Sequence, residues 1–90
     1  AATSRGADIE LRDAKAALDA VASDLQHRAA TSRIRTEAEL LAAHAQIASD
    51  PALWSRISTH IAAGSTAPQA VLLAATQFAD QLLHAASEYI

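Results

Sequence analysis

The side chains best suited to proton transfer or metal ligation near neutral pH are four histidines, His27, His44, His60 and His84. Two ligands on one helix must sit a turn apart, and no His-x-x-x-His or Glu-x-x-His pair occurs. A metal or catalytic site built on His44 or His60 therefore has to be assembled across helices. Gly64 stands isolated, so there is no glycine-rich phosphate loop, and no Gly-x-Ser-x-Gly elbow is present. Serine, histidine and aspartate are available for a triad in composition only. Asp13, Asp19, Asp24, Glu37 and Glu39 alternate with Arg12, Lys15 and Arg28 and read as solvated helix faces. The expectation is a segment with no catalytic activity, no metal and no cofactor of its own.

His44 lies four residues after Leu40 and three before Ile47, on one helical stripe with both, which places its imidazole on or beside a buried face. The surrounding stretch, "LLAAHAQIASDPALW", ends its helical run at Asp50-Pro51. There an aspartate can accept from free backbone amides, while proline at the first helical position forfeits an amide that had no partner.

The elements follow from the same logic. The chain has 90 residues, 51% hydrophobic with alanine supplying much of that fraction, and only two glycines. That is enough for one core and too little turn material for a β-sandwich. Ile9, Leu11, Leu18, Val21 and Leu25, with Ala14 filling a step, predict a first helix over residues 8–30. Thr36 and Glu39 fit a capping box opening a second helix that runs to Ser49. Leu53, Trp54, Ile57 and Ile61 form the stripe of a third, which Gly64 closes. Thr66 and Gln69, with Pro68 in the first turn, cap a last helix carrying Val71, Leu72, Ala75, Phe78, Leu82 and Leu83. Short connectors predict an all-α protein whose antiparallel hairpins form a three-to-four-helix bundle or claw over residues 8–90, preceded by a disordered tail at 1–7.

The net charge of −3 lacks the basic footprint of a nucleic-acid binder. No apolar run reaches the ~20 residues that span a bilayer, and there is no signal-peptide pattern. With no cysteine present, a cytoplasmic protein is expected. Opening on "AATSRGAD" rather than methionine, the chain reads as a segment of a longer polypeptide. Low-relief alanine faces such as Ala42, Ala43 and Ala45 suit close approach, either by a neighbouring helix of the same bundle or by a partner.

The ordered set "EAELLAAHAQIASDPALWSRI", "HIAAGSTAPQAV" and "FADQLLHAASEYI" resembles the HPr-binding helical domain of enzyme I of the phosphoenolpyruvate-dependent phosphotransferase system. The same module occurs in multidomain relatives, including the phosphotransferase subunit of some dihydroxyacetone kinases. His44, Asp50, Leu53, Ile57, Ile61, Glu88 and Tyr89 fit its landmarks in order, over residues 8–90. The resemblance implies a claw of two hairpins that docks an HPr-like phosphocarrier for phosphohistidine transfer. The phosphorylated histidine belongs to a separate α/β domain whose motif is absent here. Carried over, the docking surface uses Ile47, Leu53, Leu82 and Ile90, rimmed by Glu39, Gln46 and Asp50.

The sequence departs from the family pattern in three places. Arg35, Thr36, Pro51 and Ala52 stand where acidic residues are common, so steering toward a basic carrier should be weaker; Gln46 replaces a typical methionine; and the fourth long helix expected near "SEYI" does not follow. Part of the apolar stripe is then uncovered, which predicts self-association or marginal stability. The contrasting reading is a structural helical module that oligomerises and has no role in phosphoryl transfer.

Overall fold

A computed structural model describes residues 3–87, apart from the side chains of Leu82 and Ala86. Four helices follow in chain order: α1 (Ala7–Thr31), α2 (Arg35–Ala48), α3 (Pro51–Ala62) and α4 (Ala67–Ser87). The described residues contain no strand, so the all-α class and the hairpin architecture stand as expected. α1 pairs with α2 and α3 with α4, while α1 also packs on both helices of the second hairpin. With 25 residues, α1 is about 37 Å long, enough to serve as a common spine.

Local chemistry explains most of the boundaries. Asp50 holds an extended conformation and its Oδ1 accepts from the Ala52 amide at 2.8 Å, with Pro51 behind it. The Ser49 amide still donates back to Ala45 and Gln46, so α2 ends and α3 restarts within two residues. At the far end of α3, Gly64 sits at φ 110°, the left-handed region that a side chain disfavours. Its amide donates to the Ile61 carbonyl and that of Ser65 to the His60 carbonyl, both at 3.0 Å, the paired bonds of a Schellman closure. The capping box at α4 forms in both directions: the Thr66 amide donates to Gln69 Oε1 at 2.9 Å, and the Gln69 amide to Thr66 Oγ1 at 3.3 Å.

The start of α2 differs from the expectation. Ile34 is the residue before the helix and makes no side-chain cap. Thr36 already lies inside the first turn, so it cannot form a box with Glu39. The turn is instead held by Ser32, whose Oγ accepts from the Ile34 amide at 3.2 Å. Of the residues assigned to a tail, Ala7 opens α1, and Arg5 is engaged by two side chains of that helix.

The core lies where α1, α3 and α4 meet. Leu18, Leu53, Ile57 and Ile61 supply its bulk, and Ala14, Ala67, Ala70 and Ala74 let the helices close in. Leu11, Ile47, Trp54, Val71 and Phe78 pack around it half-buried. Lys15 Nζ lies 5.7 Å from the Trp54 ring centroid and ties α1 to α3 across the edge of this core.

Two stripes are displaced from their predicted positions. On α1 the buried row is Glu10, Ala14, Leu18 and Ala22, whereas Ile9 and Val21 are exposed. On α2 the buried residues are Leu41 and Ala45, while Leu40 is 57% exposed and His44 also faces outward. At two of these positions the inward place goes to alanine, Ala22 beside Val21 and Ala45 beside His44, and the bulkier neighbour turns outward. His44 is therefore a surface imidazole, not one beside the core.

Candidate functional site

The seven residues singled out for partner contact fall into four environments. Glu39 and Gln46 are exposed on α2 and, seven residues apart, share one face of it. Ile47 is half-buried against the core at the end of the same helix. Asp50 is half-buried at the joint, where its own amide donates to the Ile47 carbonyl at 3.1 Å while its carboxylate caps α3. Gln46, Ile47 and Asp50 thus form one corner of the molecule, fixed by the Asp-Pro break, with Glu39 leading up to it along α2.

Leu53 belongs elsewhere. It is 5% exposed and sits inside the core cluster, so it has almost no surface to offer a partner. Its spacing from Asp50 puts it on the inward side of the first turn of α3. Leu82 is a residue of α4, but its side chain lies outside the described set, as does Ile90.

The charges at the start of α2, at the far end of that helix from the corner, are mixed. Glu39 Oε1 stands 3.5 Å from Arg35 Nε, an exposed pair in which the arginine occupies part of the carboxylate's field. With Arg33 close behind and Glu37 between, this end of α2 carries no strong field of either sign.

The histidines occupy one helix each and do not converge. His27 and His44 are exposed, and the Nε2 of half-buried His60 donates to Gln77 Oε1 at 3.1 Å, linking α3 to α4. Among the described residues no group of three or more His, Asp or Glu side chains could hold a metal ion.

Sequence reasoning missed one buried polar group. Glu10 is 1% exposed, yet its Oε1 accepts from Arg5 at 2.7 Å, and Asp13 binds the same guanidinium. The Arg5 hydrogen bond holds the Glu10 carboxyl below its ordinary range against the burial that would push it up, and the backbone of Ala67 at the start of α4 helps. The two carboxylates in turn raise the Arg5 pKa. Glu10 Oε2 has no protein partner. The signal was present in the i+4 row Glu10, Ala14, Leu18, Ala22, which taking Ile9 as the start of the stripe concealed. This cluster fastens the segment before α1 to the first two turns of that helix.

The described residues form a double-hairpin claw with an outward corner at an Asp-Pro break. The chain belongs to the family described as PEP-utilising enzyme, N-terminal, whose pattern covers residues 1–90. This is the family of the HPr-binding domain in the amino-terminal part of enzyme I. No curated protein and no solved structure matches the chain. None of the helices in the described residues is long and apolar enough to cross a membrane.

Proposed function

We propose that this domain docks an HPr-like phosphocarrier so that a histidine elsewhere in an enzyme I-like, cytoplasmic phosphotransferase can exchange a phosphoryl group with it. The observation that carries the reading is the corner at the α2–α3 break, in a chain of this family. Gln46, Ile47 and Asp50 are brought together there by a capped helix restart, with Glu39 on the approach. A half-buried isoleucine ringed by short polar side chains suits a complex that must form and release quickly. Leu53 serves this surface from behind, anchoring α3 in the core so that the corner keeps its shape. Leu82 and Ile90, carried over from the family resemblance, are proposed as further contact positions. The domain itself breaks no bonds in this account.

Calorimetric titration of HPr into the protein tests the reading. Saturable binding that weakens on Gln46→Arg is expected, because that substitution places a long cation at the rim beside Ile47. Binding indifferent to Gln46→Arg, or no binding at all, overturns it.

A further inference from the structure

The α2–α3 corner is poor in charge. Between Glu39 and Arg56 the only residue with a full formal charge is Asp50, and its carboxylate already accepts from the Ala52 amide at 2.8 Å. Long-range attraction therefore contributes little at this corner, and a partner has to be held by contact. Ile47, half-buried against the core, offers only part of its side chain for that.

Trp54 is the large side chain nearest to hand. It is the chain's one tryptophan, and it packs half-buried at the edge of the core, not inside it. Its amide donates to the Asp50 carbonyl at 3.2 Å, so it stands one turn after the capping residue and on the same face of α3. Long side chains on a helix lean toward its N-terminus and cover the turn before their own Cα, which carries the indole back over the turn that starts at Asp50. Tryptophan brings more contact area than any other residue and is enriched among those that dominate interfaces.

The ring is also braced from a different helix. Lys15 Nζ lies 5.7 Å from its centroid, and Asp19, one turn further along α1, holds the same ammonium at 3.1 Å. A side chain oriented in advance loses less freedom when a partner closes on it. We infer that Trp54 is the anchor of the docking corner, that Lys15 is the positioning residue that orients it from α1, and that the patch of the carrier meeting this corner is apolar. The inference rests on the docking reading above and can fail independently of it.

Cross-saturation NMR, with protonated HPr and the deuterated, isotope-labelled chain, tests the contact, because the single indole N–H gives one signal of its own. The expected result is attenuation of that signal together with the amides of Gln46 and Ile47. Attenuated corner amides beside an untouched indole signal overturn the inference and leave the docking reading standing. No attenuation anywhere overturns both.

Calorimetric titration of variants, with circular dichroism confirming that each stays helical, gives the weight of each residue. Trp54→Leu keeps an apolar side chain against the core and should weaken HPr binding about tenfold or more. Lys15→Met keeps the aliphatic stem and should weaken it about two- to fivefold, whereas Lys15→Arg should restore it, a rescue that loss of packing alone would not produce. Raising NaCl from about 50 to about 300 mM should change Kd by less than about threefold. An unaltered Kd for Trp54→Leu overturns the anchor. Equal binding by Lys15→Met and the unaltered chain, or no rescue by Lys15→Arg, overturns the positioning role. A salt dependence of about tenfold or more overturns the apolar partner patch.

Discussion

Replacing Leu53 by alanine separates a core role from a docking role. Leu53 is 5% exposed, and its buried cluster is half alanine: Ala14, Ala67, Ala70 and Ala74 beside Leu18, Ile57 and Ile61. An alanine has no rotamer with which to fill a void, so the cavity left by the lost isobutyl group stays largely open. Leu→Ala losses in cores run at about 2–5 kcal/mol and grow with residual cavity volume. This site belongs in the middle of that range or above, at about 3–4 kcal/mol. A domain of this length has a total stability of about 5–13 kcal/mol. The loss is therefore a large share of it and should lower the melting temperature by roughly 12–30 °C. Denaturant unfolding followed by circular dichroism gives the value directly, with Gln46→Ala as an exposed control expected to shift stability by less than about 0.5 kcal/mol. An unchanged unfolding midpoint for Leu53→Ala, coupled with lost carrier binding, would refute the reasoning and return Leu53 to the surface.

Three other perturbations probe the joints of the fold. Gly64→Ala forces a side chain into the left-handed conformation at φ 110° and should cost about 1–2 kcal/mol, read as a lower melting temperature. Asp50→Ala removes the bond to the Ala52 amide and should cost about 1 kcal/mol in denaturant unfolding. Asp50→Asn keeps the cap, so carrier binding lost in that variant without a change in stability would assign the charge to docking. Glu10 has its carboxyl pKa lowered in the folded state by Arg5. Its stabilising contribution is thus present above the ordinary glutamate range and disappears as pH falls through the lower folded value. The unfolding midpoint of the unaltered chain should fall with pH in that acid window more steeply than that of Glu10→Gln, and identical slopes would contradict the role given to Arg5.

The parts of the fold that were legible in the sequence are those decided by local chemistry. Asp50-Pro51, Gly64 and the Thr66–Gln69 pair each act within four residues, and each makes the bonds its spacing promised. What could not be read was which of two adjacent stripes turns inward, because that depends on how closely another helix approaches. Leu40 looked as good a core residue as Leu41 until α1 selected the row containing Ala45. Glu10 was hidden for a related reason: its burial is possible only because Arg5, outside the helix, folds back to neutralise it. The candidate site was legible as a region, since the break at Asp50 localises it. It was not legible residue by residue, as Leu53 shows, because the spacing it shares with Ile57 and Ile61 suits a core stripe and a docking stripe equally, and only the packing of α1 and α4 decides between them.

The most direct test of the central claim is a backbone-amide NMR titration of the isotope-labelled protein with unlabelled HPr. The account predicts shifts concentrated at Gln46, Ile47 and Asp50 and along the Glu39 face of α2, with the exposed face of α1 around Asp19 and Ser23 unmoved. Shifts absent everywhere, or confined to α1, would contradict it.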